Sequence, residues 1–199
     1  MQSAYHVPQF SHIETERLIL RRLHPDDAAS FVAYRNMPEV ARYQSWTSYT
    51  LEQARAFIDN QQSVQPGTAG DWFQFAIVLK AHRTLIGDCG FYTDLQEHPQ
   101  GEIGFTLDPQ FQGNGYATES VSAIFDYAFG TLQLHRIMGI ADCLNTASTS
   151  LMERIGMRRE AHFIQHVWFK GRWSDEYWYA VLRDEWLERT NKTATSFHD

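Results

Sequence analysis

The chain has 199 residues, of which 43% are hydrophobic and 14% aromatic, and its formal net charge is −7. This length and composition suit one well-buried globular domain over residues 1–199 and are short for two. The acidic balance argues against broad nucleic-acid binding, because phosphates need a basic protein face. It favours instead a cationic partner such as an amine or a peptide N-terminus.

Residues 1–10 lack the basic region and apolar run of a signal peptide. No apolar run approaches the roughly 20 residues that span a bilayer, so we expect a soluble, cytoplasmic protein with no membrane partner. Cys89 and Cys143 are too few for a disulfide framework, and both are predicted core residues. The polar ends, 1–10 and 190–199, are expected to be loosely held.

The first half of the chain predicts one strand, two helices and three further strands. Apolar and charged residues alternate in a first strand near 15–23. Pro25-Asp26-Asp27 opens a helix, since proline and acidic residues suit a first turn. A second helix follows Thr50, because Thr50 and Gln53 have the spacing of a capping box. The three strands are predicted over 72–79, 84–92 and 102–107.

The second half alternates helices and strands. After a glycine-rich turn, apolar residues from Ala117 to Phe129 recur at helical spacing. A strand at 135–141 leads through Asn145 to a helix that ends at Gly156, a natural C-cap residue. Two more strands, 162–169 and 176–182, flank a turn at 170–172. The order βααβββαβαββ predicts a mixed α/β fold.

The glycine-rich turn at 112–118 predicts an anion site between a strand and a helix. Gly113 and Gly115 permit positive φ and close approach of a ligand. The free amides of the helix's first turn then point at a phosphate, aided by the helix dipole, and Gln112 can add a side-chain hydrogen bond. A plain tight connection has the same pattern, so the turn alone leaves both interpretations open. The predicted phosphate-binding residues are Gln112, Gly113, Asn114, Gly115, Tyr116, Ala117 and Thr118.

Gln112-x-x-Gly115-x-Ala117 matches the Q/R-x-x-G-x-G/A signature of the GNAT acetyltransferase superfamily. Further segments resemble the branch that includes ribosomal-protein-alanine N-acetyltransferases, and the resemblance covers about 14–187. They are Thr15-Glu16-Arg17-Leu18-Ile19-Leu20-Arg21, Glu102-Ile103-Gly104-Phe105 with Asp108-Pro109, Asn145-x-x-Ser148 with Leu151 and Gly156, and Gly171-x-Trp173-x-Asp175.

The resemblance implies direct transfer of acetyl from acetyl-CoA to an amine, with no covalent enzyme intermediate. It also implies the GNAT fold, a mixed sheet of about seven strands flanked by helices and split between its fourth and fifth strands. The pantetheine arm would lie in that split like an extra strand. Backbone amides of Phe105, Thr106 and Leu107 would polarise the thioester carbonyl. Asn145 would contact the pantetheine or the phosphates.

An alkyl amine must lose a proton before it attacks, so a base is needed. Glu102 is the leading candidate, because its position faces the cleft in the enzymes it resembles; Asp88 and His166 are weaker alternatives. Many superfamily members place a tyrosine acid where this chain has Met152. Ser148 matches a serine of the ribosomal branch and is the candidate in its place, although serine near a helix start is often only a cap.

His162 and His166 are expected on one strand face, but without a third ligand they do not make a metal site. Trp46, Trp72, Phe91 and Tyr92 would shape an amine pocket or belong to the core. The acceptor pocket is expected near 30–50 and 90–100, and both monomer and homodimer remain open.

Three functions stay open at this point. The first is acetylation of a protein N-terminus, such as alanine or serine. The second is acetylation of a small amine (a polyamine, an amino acid or an antibiotic). The third is a non-catalytic acyl-CoA-binding module.

Overall fold

A computed structural model describes residues 9–94 and 99–195, with side chains described to 190. Its centre is one eight-stranded sheet of order β1-β2-β3-β4-β5-β6-β8-β7. All neighbouring pairs are antiparallel except β5 and β6, which run parallel. The strands are β1 (His12–Glu14), β2 (Leu18–Arg22), β3 (Trp72–Leu79), β4 (Thr84–Asp94), β5 (Gln100–Leu107), β6 (Arg136–Asp142), β7 (Arg158–Phe169) and β8 (Arg172–Leu182).

Helices cover both faces of the sheet, which confirms the mixed α/β prediction. One apolar cluster packs α1 and α3 against one face of the sheet, and a larger cluster packs α4, α5 and α6 against the opposite face. None of the described helices is long and apolar enough to cross a bilayer. The helices are α1 (Ala28–Arg35), α2 (Pro38–Ala41), α3 (Leu51–Gln61), α4 (Tyr116–Gly130), α5 (Thr146–Arg154) and α6 (Arg183–Thr195).

Two predicted helix ends are confirmed in atomic detail. Thr50 Oγ1 accepts the backbone N–H of Gln53 at 3.1 Å, and Gln53 Oε1 accepts the N–H of Thr50 at 2.8 Å. Gly156 ends α5 at φ +89°, and the N–H of Met157 donates to Met152 O at 2.9 Å. Both caps are local arrangements, so neighbouring residues suffice to specify them.

The two ends of the chain differ from the sequence-based expectation. The strand predicted near 15–23 is β2, and a further strand, β1, precedes it and was not predicted. The loosely held end expected at 190–199 is helical as far as 195, because α6 is anchored by Trp186. That indole packs on Phe125 and Phe129 and donates to Asp126 Oδ1 at 2.8 Å. Residues 1–8 and 196–199 lie outside the described part of the chain.

The two cysteines have different surroundings. Cys89 is fully buried in β4, as predicted. The core prediction is wrong for Cys143, which is only half-buried. The reason is that β6 ends at Asp142, so Cys143 lies in the following turn, where its N–H donates to Asp175 O at 3.0 Å.

The sheet splits between β5 and β6, as predicted. These strands pair only at their beginnings, through Gln100↔Arg136, Gly101↔Ile137 and Glu102↔Met138. Beyond Glu102, β5 continues to Leu107 with no partner on the β6 side. The backbone edge on that side is therefore open to a ligand.

A buried ion pair fixes α1 to the sheet. Asp88 on β4 is 1% exposed and accepts hydrogen bonds from the Tyr34 hydroxyl, the Arg35 guanidinium and the Gln74 side-chain amide. The Arg35 guanidinium also lies 4.0 Å from the ring centroid of Trp46. Since every contact of Asp88 is made in the interior, this carboxylate is structural and is not available as the alternative base.

We expect Asp88→Ala to lower the free energy of unfolding by about 3–5 kcal/mol, because it leaves the buried Arg35 charge unpaired. Urea unfolding followed by circular dichroism measures the loss. Glu14→Ala is the matched control, since it removes a carboxylate from the exposed Lys80–Glu14 pair and should change stability little. Equal effects of the two substitutions would show that the buried pair does not anchor α1.

Candidate active site

The turn after β5 has the backbone that its glycines predict. Gly113 and Gly115 have φ values of +77° and +82°. Gly115 is the N-cap of α4, and its carbonyl accepts the first helical hydrogen bond from the N–H of Glu119 at 3.0 Å. The N–H groups between them, from Tyr116 to Thr118, therefore have no acceptor within the helix. They form a ready-made site for an anion.

The two amide side chains of the turn hold its shape. Gln112 Nε2 donates to Leu107 O at 3.0 Å, and Asn114 Nδ2 donates to Phe111 O at 3.2 Å and to Gln112 O at 3.0 Å. The Gln112 side chain was expected to reach a phosphate, but in this structure it spans the turn. Among the groups of the turn itself, the backbone N–H groups of its last residues are the ones left free for an anion.

A cavity of about 1090 Å³ opens beside the turn. It lies between α4, α5, the end of β5 and residues 39–44, which are called the α2 segment below. Asn114 and Glu102 are the predicted site residues that do not line it. Those that do are Phe105, Thr106, Leu107, Gln112, Gly113, Gly115, Tyr116, Ala117, Thr118, Asn145 and Ser148.

Three arginines contribute positive charge to this cavity. Arg154 lies near the turn, with its Nη1 3.4 Å from Thr118 Oγ1, and Arg42 lines the wall formed by the α2 segment. Arg17 was not singled out from the sequence, although it belongs to the segment that resembles the family's opening strand. The lining also includes two glutamates, so the cations are in excess by one, and this excess beside free amides favours an anionic ligand.

The start of α5 forms another part of the wall. Asn145 caps the helix, because its Oδ1 accepts the N–H of Ser148 at 3.3 Å. Ser148 is therefore not the cap, and its hydroxyl makes no hydrogen bond to any residue the structure describes. It is a free polar group at the cavity surface.

Met152 lies in the core. Its side chain is 1% exposed, and a Cβ added at Gly139 would approach its sulfur to 2.7 Å. The residue at the position of the usual tyrosine thus packs under β6 and presents nothing to the cavity. Met152 is thus not available to the leaving group, and Ser148, the predicted alternative, lies on the cavity wall.

The open edge of β5 presents alternate backbone groups to the split. The carbonyl of Pro99 accepts a hydrogen bond from the β6 side, whereas the N–H of Asp108 donates to Ile86 O in the direction of β4 at 2.9 Å. Because hydrogen-bonding direction alternates along a strand, the N–H groups of Phe105 and Leu107 point into the split. The amide of Thr106 points the other way.

Glu102 lies at the point where β5 and β6 part, on the face covered by α1 and α3. Gly104 shares this face two residues on, and a Cβ added there would meet nothing within 4 Å. Glu102 is half-buried and makes no hydrogen bond to the described residues. Burial, together with repulsion from Glu176, raises the pKa of Glu102.

Glu176 brings two further polar side chains to this face. Its Oε2 accepts the indole N–H of Trp178 at 3.3 Å and lies 3.7 Å from His166 Nε2. His166, the other alternative base, is thus a half-exposed partner of Glu176. Two carboxylates, from Glu102 and Glu176, give this side of the split a negative charge.

The prediction that His162 and His166 share a strand face is wrong. A bulge in β7, with Gln165 at φ +48°, shifts the register between them. His162 consequently lies beside Asp175, at 3.6 Å, while His166 lies beside Glu176 on the opposite face. No group of three or more His, Cys, Asp or Glu side chains in the described ranges could hold a metal ion.

The predicted pocket aromatics divide between core and surface. Phe91 is fully buried and belongs to the core, whereas Trp46 is half-buried and lies over the buried Arg35 guanidinium. Trp72 is 42% exposed, and its ring lies 5.6 Å from that of Tyr92, which is opposite Glu102. Residues 95–98, part of the expected acceptor region, lie outside the described residues.

The segment between α2 and α3 is tied to the far side of the split. Lys170, at the tip of the β7–β8 hairpin, donates to the carbonyls of Ala41 and Trp46, both at 2.6 Å. The Tyr43 hydroxyl donates to Leu144 O at 3.1 Å. These bonds hold the segment across the open end of the split.

The sequence profile described as the acetyltransferase (GNAT) domain matches residues 17–158. The chain belongs to the GNAT acetyltransferase family. It is 35% identical to the uncharacterized N-acetyltransferase YnaD of Bacillus subtilis, covering 88% of this chain and 99% of that protein. A crystal structure of a GNAT-family acetyltransferase from Bacillus anthracis superposes with a TM-score of 0.79 at 32% identity, covering 87% and 99% of the two chains. The protein is therefore an N-acetyltransferase.

Relatives with a named acceptor are more distant. The ribosomal protein uS5-alanine N-acetyltransferase of Escherichia coli is 25% identical, covering 87% of this chain and 92% of that protein. A spermidine N-acetyltransferase from Vibrio cholerae, crystallised with CoA and spermine, has a TM-score of 0.75 at 21% identity, covering 87% and 99% of the two chains. The acceptors of these relatives differ, so family membership alone does not identify the acceptor.

We expect Glu176→Gln to lower the pKa of Glu102, because it removes the negative charge that disfavours a second carboxylate nearby. Carbon-detected NMR titration of the glutamate carboxyls measures the shift. Glu188→Gln changes a glutamate of α6 far from the split and serves as control. An unchanged Glu102 titration in Glu176→Gln would show that the two carboxylates do not interact.

Proposed function

We propose that this N-acetyltransferase takes acetyl from acetyl-CoA and transfers it directly to a primary amine. The observation that carries the proposal is the geometry of β5. One strand leads from Glu102, where the sheet parts, along an open backbone edge to the phosphate turn at 112–118. Donor and acceptor can therefore meet at the split from opposite sides.

The cavity is suited to the donor. The free amides of Tyr116, Ala117 and Thr118 would hold the diphosphate, with Arg154 close by. The pantetheine arm has amides that would pair with the open edge of β5, as an added strand does. Asn145, at the start of α5, would contact the same arm.

When bound, acetyl-CoA supplies an activated acetyl group, and the protein supplies the rest. Glu102 accepts the proton of the acceptor ammonium, directly or through a water, and its raised pKa brings it closer to neutrality, where a general base is most effective. The N–H groups of Phe105 and Leu107 stabilise negative charge developing on the acetyl oxygen. The Ser148 hydroxyl donates a hydrogen bond to the departing sulfur.

A protein N-terminus with alanine or serine is the first acceptor we propose. Support comes from the uS5-alanine relative, which matches this chain over most of both lengths. A small polyamine is the second, because the Glu102–Glu176 pair places two negative charges beside the split, where a polycation would be attracted. Trp72 and Tyr92 offer an apolar surface to either acceptor.

An amine panel tests the reaction. Release of CoA from acetyl-CoA is measured with peptides beginning with alanine or serine, the same peptides blocked at the N-terminus, and spermidine, and products are identified by mass spectrometry. We expect acetylation of a free amine, and a fall in kcat of about 10²–10⁴-fold in Glu102→Gln, the usual contribution of a general base. CoA affinity should be unchanged in that variant. Binding of CoA without turnover of any amine would favour the non-catalytic alternative.

We expect Gly115→Glu to abolish CoA binding, measured by calorimetry. The new side chain is strained at φ +82° and places a negative charge at the phosphate turn. Gly130→Glu adds the same side chain at the far end of α4, where a Cβ has open space, and should bind CoA normally. If Gly115→Glu kept the wild-type affinity, the turn would not be the donor site.

A further inference from the structure

Arg17, in the turn between β1 and β2, is joined to the first turn of α4 by a dense set of hydrogen bonds. Its Nε donates to Glu119 Oε2 at 2.7 Å, and its backbone N–H donates to Glu119 Oε1 at 2.9 Å. The Thr15 hydroxyl donates to the same Oε1 at 2.5 Å. Glu119 therefore fixes both the backbone and the guanidinium of Arg17.

The other end of the guanidinium lies against the phosphate turn. Its Nη1 donates to Asn114 O at 3.0 Å, and its central carbon lies 4.6 Å from the ring centroid of Tyr116. Its Nη2 is 3.4 Å from the position that a Cβ would take on Gly115. This Nη2 makes no hydrogen bond to the described residues, and the side chain is 41% exposed. The positively charged guanidinium is thus held at the turn, and the N–H groups of its Nη2 remain free to bond a ligand.

Glu119 explains how this position is maintained. A carboxylate in the first turn of a helix suits the helix dipole, yet beside a diphosphate it would repel the ligand. Here Arg17 neutralises it, and although partial burial opposes the effect, hydrogen bonds from Thr15 and Arg17 lower the pKa of Glu119. Glu119 is ionised at neutral pH and fully engaged with Arg17.

We propose that Arg17 is a donor-binding residue that contacts the diphosphate of CoA through Nη2, and that Glu119 is a positioning residue that aims it. The inference rests on the proposed function, since it requires acetyl-CoA to be the donor. It assigns a further side chain, besides the nearby Arg154, to an anion site built on backbone amides. The planar fork of arginine is suited to this task, because one edge can bond the protein while another meets phosphate oxygens.

Three probes separate the contacts in calorimetric titrations of the full chain. CoA carries the diphosphate and the 3′-phosphate, 3′-dephospho-CoA keeps only the diphosphate, and pantetheine has neither. We expect Arg17→Gln to weaken CoA and 3′-dephospho-CoA equally, by about 10- to 100-fold, the loss typical of a hydrogen bond to a charged group. Pantetheine affinity should not change. Arg17→Lys keeps the charge without the fork and should give an intermediate loss.

Glu119→Gln decides the role of the carboxylate by the sign of its effect. A positioning carboxylate gives weaker CoA binding when it is replaced, because Arg17 loses its orientation. A carboxylate that merely lies near the diphosphate gives tighter binding, because a repulsive charge is removed. We expect weaker binding of CoA and unchanged binding of pantetheine.

Arg158→Gln is the matched control, since Arg158 is a half-exposed arginine paired with Glu160 away from the cavity. It should bind all three probes as the wild type does, and circular dichroism checks that every variant is folded. Wild-type affinity of Arg17→Gln for CoA, an equal loss for pantetheine, or tighter binding by Glu119→Gln would each overturn the proposal while leaving the donor assignment intact. Failure of the wild-type chain to bind CoA would overturn both.

Discussion

The parting of β5 from β6 after three paired residues is the constraint on which the site depends. An unpaired strand edge has backbone groups that need partners, and a sheet normally supplies them from the next strand. Here the chain leaves them open and places its chemistry around the gap. Glu102 occupies the last paired position, the phosphate turn follows the end of β5, and α5 begins just after the end of β6. In the proposed function, the pantetheine arm of acetyl-CoA completes the sheet as an added strand.

In the proposed function, the donor side of the split recognises its ligand mainly through the backbone, and the acceptor side through side chains. The donor side depends on backbone geometry, which two glycines at positive φ and a helix start can provide with few side chains. The acceptor side, as proposed, depends on side chains from β4, β5 and β8, among them Tyr92, Glu102 and Glu176. Backbone recognition needs a short motif, whereas side-chain recognition draws on scattered positions that can vary independently. Family membership therefore indicates the donor more directly than the acceptor.

Features that depend on a few neighbouring residues were predictable from the sequence. The capping box at Thr50 and the positive φ of Gly115 belong to this class, whereas the split was expected from the family resemblance alone. Features set by distant contacts were not. No local pattern shows that Trp186 anchors a final helix. The alternation of side chains along β7 gave the wrong face for His166, because the sequence carries no clear signal for a bulge. Cys143 was misplaced because the prediction rested on the apolar residues around it in the sequence, whereas the residue lies half-buried in the turn after β6.

The anchoring of the phosphate turn by Arg17 also bears on how the protein folds. The hydrogen bonds from Thr15 and Arg17 to Glu119 join residues 104 and 102 positions apart. Closing so long a loop is entropically costly, so such contacts form after local helices and hairpins. A nascent chain that has already built α4 would still lack a finished turn until its first strands dock. With Arg17 in the proposed role, donor recognition is a property of the completed tertiary structure, and a partly folded chain with the full motif would not bind the donor as the native protein does.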